Sequence, residues 1–428
     1  MKGLKTLWHA AFLHILLCQQ LPAQEVKDTV PDGTQGEILT KKNTTDFGKT
    51  DKPWNQINFG FTTFRFGVGA LFEYAAFGMD KTANEQSDSI GYDPETGYKL
   101  RDFRVLLSGQ VKSKRFITWK VGLMYDGPTH SWFLRESGVM VGVPELWGHI
   151  FVGRTKEGFS LNKVMNGYAG WTMERQMAID VIPILADGIK WMGYLPKKKF
   201  LWNLGIFTDW LSKGQSFSTY DWQTAARLAW LPINDESGKR VLHIGTSLRY
   251  GKTLDGKIRL RSRPEAFPAP YIIDTQTFES DHSTHIGGEV YYTKGPLMLG
   301  SELYAHKFHA PKSGDPVFQG GDIVASYIIT GQSRPYTTVS GIYSFVPVPN
   351  SILKGGIGTI EVLLRYSQLD LTDGTITGGK FWRLTPAVNW YLTPSLRLGF
   401  AYGYGKLDRV NMKGVHQFAQ ARLQFVIL

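Results

Sequence analysis

Long segments of this chain alternate apolar and polar side chains with a period of two, a pattern that suits an extended strand with two unlike faces. Residues 101–113 set Phe103, Val105, Leu107, Gly109 and Val111 against Arg104, Ser108, Gln110 and Lys112. Ile117, Trp119, Val121, Leu123 and Tyr125 oppose Thr118, Lys120 and Asp126, and the last segment sets Ala419, Ala421, Leu423, Phe425 and Ile427 against Gln420, Arg422 and Gln424. These repeats run for about 10 to 14 residues. Strands of soluble sandwiches average about five or six, whereas a tilted strand needs about 9 to 11 to cross a bilayer. Aromatic residues gather at the ends of the apolar faces, as Trp382 and Trp390 do, which suits the two membrane interfaces. Helical spans would need several runs of about 20 apolar residues, and beyond residue 23 a polar residue breaks every apolar run within a few positions. The expected fold class is all-β, a transmembrane antiparallel up-and-down β-barrel.

The connections support that reading. Candidate strands fall near 56–68, 101–113, 115–126, 131–143, 147–154, 187–195, 200–210, 221–231, 240–252, 282–294, 296–309, 321–331, 357–369, 379–391, 395–405 and 415–428, about sixteen in all. Links at 114, 144–146, 196–199, 295 and 392–394 are short, and those at 69–100, 155–186 and 253–281 are long. The two kinds alternate, as short periplasmic turns and long outer loops should. The long 332–356 link breaks the rule, because it falls on the side of the short turns. Apolar positions shift parity between Phe61 and Phe64, so a bulge is expected near Thr62. Pro386 lacks a ladder donor and implies a bulge or a local break.

Residues 1–23 read as a cleaved signal peptide, with Lys2 and Lys5, an apolar middle from Leu7 to Leu17, and Leu21-Pro22-Ala23 at the cleavage site. Residues 24–55 read as a flexible lead-in and 56–428 as the barrel domain. Loss of the signal lowers the formal charge of +11 by two. It also removes Cys18, the one cysteine, so the mature chain has no thiol chemistry. An exported basic protein meets anionic lipids, glycans or small anions, not nucleic acid. Lys257, Arg259, Arg261 and Arg263 recur at every second residue. On an extended stretch such side chains point one way, about 6.6 Å apart, and guanidinium forks suit phosphate oxygens.

Ordered motifs carry a family resemblance. They are Gly153-Arg154-Thr155-Lys156-Glu157-Gly158-Phe159-Ser160-Leu161 with Met173-Glu174-Arg175, Ala186-Asp187-Gly188-Ile189, and Arg259-Leu260-Arg261-Ser262-Arg263-Pro264-Glu265. Thr330-Gly331-Gln332-Ser333-Arg334-Pro335-Tyr336, Arg365-Tyr366-Ser367, Gly378-Gly379 and Asn389-Trp390-Tyr391-Leu392 follow. Together they resemble the phosphate-selective porins O and P of outer membranes, over most of the chain after about residue 100. The resemblance implies a trimeric barrel of sixteen strands whose third and fifth loops, 155–186 and 253–281, enter the pore. It also implies an arginine ladder, onto which Arg259, Arg261 and Arg263 map. Such barrels usually end in Phe, whereas this chain ends in Leu428.

The anion-binding candidates are therefore Arg259, Arg261, Arg263 and Lys257, with Lys156, Lys163 and Arg175 of the third loop at the constriction. Arg104, Arg227, Arg249, Arg365, Arg383, Arg397 and Arg422 fall on expected lumen positions, where Glu289, Glu302 and Glu361 should pair with some of them. Metal is not expected, because His282 with His285, and His306 with His309, would split across opposite strand faces. No nucleophile elbow, paired-carboxylate motif or nucleotide fingerprint stands out, so neither catalysis nor a cofactor is expected. The expected function is passive diffusion of inorganic anions such as phosphate through a homotrimer among outer-membrane lipids. A general diffusion porin is the alternative. A β-rich binding protein or an outer-membrane enzyme would instead need a convergent polar site.

Overall fold

A computed structural model describes residues 53–211, 220–235 and 238–428. The signal-peptide region and nearly all of the lead-in lie outside the described residues. Sixteen antiparallel strands form one closed sheet. They are β1 (Thr62–Met79), β2 (Gly97–Gln110), β3 (Ile117–Asp126), β4 (Ser131–Leu134 with Ser137–Val143), β5 (Gly148–Thr155), β6 (Ala186–Leu195), β7 (Phe200–Thr208), β8 (Tyr220–Asn234), β9 (Arg240–Thr253), β10 (His282–Lys294), β11 (Leu297–His309), β12 (Val317–Ile328), β13 (Thr359–Asp373), β14 (Ile376–Thr393), β15 (Leu396–Arg409) and β16 (Met412–Ile427). Pairing of β16 with β1, from Val68↔Ile427 to Met79↔His416, closes the ring and removes its edges.

The period-two pattern builds an inverted protein. Outward positions such as Ile206, Leu228, Ile286, Leu303, Ile323 and Phe400 are exposed, whereas Arg227, Arg249, Arg365, Arg383, Glu289 and Glu302 face inward and are buried. An apolar exterior around a polar interior is what a bilayer solvent selects.

The start of the barrel differs from expectation. Gln56–Phe59 folds back on Thr62–Arg65 through a tight turn at Gly60, whose φ is 49°. The parity shift near Thr62 is thus a chain reversal, not a bulge, and β1 continues through Met79 into what reads as loop. This hairpin sits below the end of β16, where Asn55 and Arg65 donate to the carbonyl oxygen of Leu428. Pro386 leaves Thr385 and itself out of the ladder to β15, yet pairing resumes in the same register, from Leu384↔Tyr404 to Ala387↔Ala401. It makes a local break without a bulge.

Three segments fill the lumen. Two are the long loops expected there, loop 3 (156–185) and loop 5 (254–281). The third is the long link on the short-turn side, 329–358, which enters from the opposite end. Its Tyr343 and Ile342 pack with Trp171, Leu161 and Val164 of loop 3.

The pore lining and its comparison with known porins

Loop 3 begins where Gly153 adopts φ 136°, and a Cβ there would lie 2.3 Å from the Ser137 carbonyl. Glycine is required at that point of β5, where it pairs with Gly138 of β4. Arg154 then points inward and donates to Asp187 at 3.0 Å and to the Leu134 carbonyl at 2.9 Å. Next, Glu157 accepts from Arg249 at 2.7 Å and from Lys163 at 3.1 Å. Ser160 sits at φ 66°, a conformation costing about 1–3 kcal/mol. Bonds at both of its ends hold it there: its N–H donates to Ser247 at 3.1 Å and its hydroxyl to Glu302 at 2.6 Å. The Leu161 and Asn162 N–H groups, which open the short helix Leu161–Val164, donate to Glu289 and Glu302 at 2.8 Å. Unpaired amides at a helix start favour carboxylates.

The second half of loop 3 lies along β13 to β16, held there largely by its carbonyl oxygens. Those of Tyr168, Ala169, Gly170 and Trp171 accept from Gln424, Arg334, Arg397 and Asn389 at 2.7–2.9 Å. Met173 and Glu174 offer theirs to Arg422 and Arg365. The wall arginines expected to line the pore are therefore mostly consumed as anchors. Arg227 pairs with Glu289, Arg249 with Glu157, and Arg365 with Glu265 of loop 5. Arg383 has no carboxylate partner among the described residues, and its guanidinium lies 3.6 Å from the Phe418 ring centroid. Glu361 pairs with Arg334 of the 329–358 link, not with a strand arginine. Glu302 has no cation partner among the described residues and accepts from Ser160, Asn162, Tyr291 and Tyr304 instead.

The third-loop candidates separate. Lys163 is buried against Glu157 and does not line an open surface. Lys156 donates to Met165 O at 2.6 Å and lies 3.4 Å from Glu136. Arg175 donates to Asn162 O and Met165 O at 2.9 Å and meets no carboxylate within ion-pair distance among the described residues. Between loop 3 and the wall lies a cavity of about 60 Å³, reached by Arg104, Lys120, Arg135, Glu136, Lys156 and Tyr168. The Arg135 N–H donates to the Gly122 carbonyl at 2.7 Å, but its guanidinium has no hydrogen-bond or ion-pair partner among the described residues. It stands where β4 breaks, between Leu134 and Ser137, an interruption that the sequence pattern does not signal. Burial drives the Lys156 ammonium well below the usual lysine range, opposed by Glu136 and reinforced by Arg175 and Arg135. Burial with Arg104 and Arg101 brings Arg175 to about 10.

In loop 5, Lys257–Ser262 pairs with Ile273–Glu279 as a hairpin inside the barrel. Ile258 and Leu260 bury against the wall, while Lys257, Arg259 and Arg261 alternate with them on the exposed face. Arg259 donates to Asp274 at 2.9 Å. Arg261 and Arg263 lie 4.3 and 4.4 Å from the centroid of the Tyr271 ring, and Arg263 also donates to the Phe267 and Ala269 carbonyls. The expected row thus exists for three members, and Arg263 turns aside beyond the strand end.

The histidines split across faces as expected, but the strand register brings them together in pairs across β10 and β11. His285 Nδ1 lies 2.8 Å from His306 Nδ1 inside, and the rings of His282 and His309 lie 4.7 Å apart outside.

A family model described as phosphate-selective porin O and P matches residues 142–427. The chain belongs to that family. It is an outer-membrane porin, and the family and fold are those of channel proteins rather than enzymes. An anion-selective porin from Comamonas acidovorans superposes with a TM-score of 0.55 at 15% identity, covering 86% of this chain and 100% of the other. OmpF of Salmonella typhi, in complex with daunomycin, gives 0.53 at 8% identity, covering 87% and 100%. A trimer form of OmpT from Vibrio cholerae gives 0.51 at 12% identity, covering 86% and 99%. At these identities the likeness shows the fold. An uncharacterized protein of Caulobacter vibrioides is 29% identical over 175 residues, 40% of this chain and 35% of the relative, so the match spans about a third of that protein.

Proposed function

We propose that this porin passes small oxyanions of the phosphate class by diffusion, as a homotrimer exported through a cleaved signal peptide. The observation that carries the reading is the cleft under loop 3, lined by Arg104, Lys120, Arg135 and Lys156: Lys120 and Lys156 share Glu136 and Arg104 sits on Asp102, which leaves the Arg135 guanidinium with no carboxylate in ion-pair range among the described residues. Cations crowded together at low solvation stabilise an anion between them, and a row of such groups hands it onward only if each binds weakly. Lys257, Arg259 and Arg261 form that row on the loop 5 hairpin, with Arg263 at its end and Arg175 behind the cleft. Lys163, buried on Glu157, contributes to the field and not to contact. Glu136 adds an acceptor for the proton of a protonated oxyanion.

Planar-bilayer conductance tests this reading. Chloride current should be blocked by phosphate, and the variant R104A/R135A should lose that block while keeping its unboiled gel mobility. Block that persists in the variant, or its absence in the parent protein, would leave a general diffusion pore. Mass measurement in mild detergent should give three copies per particle, and monomers alone would remove the trimer.

A further inference from the structure

Arg383 stands apart from the other arginines of the wall. Its Nε donates to Thr385 at 3.0 Å, but Nη1 and Nη2 have no hydrogen-bond partner, although the residue is only 1% exposed. No other buried arginine among the described residues leaves both Nη atoms unbonded. The carboxylate within its electrostatic reach, Glu265, gives its two oxygens to Arg365 and Ser367 at 2.6 Å. A guanidinium does not shed its proton, and a charge buried without a counter-charge is costly.

The groups around that free edge come from the wall and from two loops. Strand register sets Arg383 of β14 opposite Gly405 of β15, and Gly405 opposite His416 of β16. The guanidinium crosses β15 beside Gly403, where a Cβ would lie 2.5 Å from Nη2, and rests on the Phe418 ring. His416 Nε2 is likewise buried without a partner. In the link between β1 and β2, Asp80 accepts from the Ala83 N–H and from the Val415 N–H of β16, both at 2.8 Å. That fixes the start of the link on β16. Tyr92, further along it, is buried edge-on to the His416 ring at 5.4 Å, with its hydroxyl in electrostatic reach of Arg383 and Arg263. Loop 5 closes the other side, where Ala266 and Ala269 pack on Phe418 and Arg263 donates to the Phe267 and Ala269 carbonyls. The groups left over can all donate: two Nη, an imidazole nitrogen and a phenol hydroxyl.

We infer that Arg383, His416 and Tyr92 bind one small inorganic oxyanion, which clasps the barrel wall to the β1–β2 link and to loop 5. The parallel Nη1 and Nη2 donors match two oxygens of one such ion, a pairing that a spherical halide does not offer. His416 and Tyr92 donate to the remaining oxygens from β16 and from the link, and Arg263 adds positive charge from loop 5. Because the site is buried beneath loop 5, its ion is held rather than conducted. The inference therefore does not depend on which ions the pore prefers.

Denaturant titration of the purified porin tests this, with inorganic phosphate exchanged for chloride at constant ionic strength. Phosphate should raise the midpoint of the parent and of R104A/R135A, in which the cleft under loop 3 is disabled. R383M should need at least about tenfold more phosphate for the same rise, and Y92F about threefold more. Comparison with R383M also removes the general stabilisation that phosphate gives any folded protein. In crystals soaked with arsenate, an anomalous difference peak should lie within hydrogen-bond distance of Arg383 Nη1 and Nη2. If R383M yields no fast-migrating unboiled band, Y92F decides, since it removes a single hydroxyl. A parent midpoint indifferent to phosphate, a response of R383M or, failing its folding, of Y92F equal to the parent's, a response lost in R104A/R135A, or an arsenate map with no peak at Arg383 would each overturn the inference.

Discussion

The arginines of the barrel wall and those of the loop 5 hairpin are the same residue in one lumen, yet they do opposite things. Arg227, Arg249 and Arg365 are fully or almost fully buried, each on a carboxylate. Their charges are spent locally. Arg261 sits exposed over Tyr271 with no carboxylate in ion-pair range among the described residues, so its field extends into the water of the pore. Exposure and the absence of a counter-charge, rather than the count of arginines, decide which of them an ion can sense.

Breaking a wall pair should have the largest effect. Arg249→Ala leaves Glu157 and Lys163 buried with their network cut, at a cost of about 3–5 kcal/mol. Denaturant titration of the heat-modifiable band should show that loss, and single-channel records should turn noisy as loop 3 loosens. A stability unchanged by R249A would end the anchor reading. The hairpin predicts the converse. Replacing Arg259, Arg261 and Arg263 with Ala should leave the denaturant midpoint nearly unmoved and lower anion over cation selectivity severalfold at 0.1 M salt. The effect should shrink at 1 M, because the Debye length falls from about 10 Å to about 3 Å. Unchanged selectivity would assign any preference to the cleft alone.

A smaller effect sharpens the contrast through pH. Burial raises the Asp180 carboxyl of loop 3 to about 7 and lowers the Lys163 ammonium to about 8, the latter opposed by Glu157. As pH climbs from 6 to 9, Asp180 gains a negative charge and Lys163 loses a positive one. Both changes make the lumen less positive, so reversal-potential measurements should show anion preference declining across this window. D180N removes the lower of these two titrations and should flatten the lower part of the decline. A preference that rises with pH would contradict the assignment.

The barrel was legible because strand faces announce themselves at every second residue, and the inward placement of Arg227, Arg249 and Arg365 follows from that parity alone. What those arginines touch was legible only in part: Glu289 was among the expected partners and Arg227 meets it, whereas the other contacts were not. Arg365 takes the Glu174 carbonyl of loop 3 and Arg227 takes those of Ser340 and Gly341 in the 329–358 link, and a carbonyl leaves no trace in residue identity. The hairpin at Gly60 escaped for a related reason, since a reversal and a bulge shift parity alike. Meetings of His285 with His306 and His282 with His309 depend on the register set by the two-residue link at 295–296, which spacing within either strand does not encode. The cleft needed the third dimension as well: Arg104, Arg135 and Lys156 come from two strands and a loop, and nothing in the one-dimensional pattern ties them together.

Carbonyl anchoring has a consequence for how such a channel can change. The wall grips Tyr168, Gly170, Trp171, Met173 and Glu174, and the 329–358 link grips Ala169, by an atom that every amino acid possesses. Side chains along that part of the loop can be exchanged without surrendering those attachments, so new substrates could be explored by mutation at the aperture while its frame stays in place.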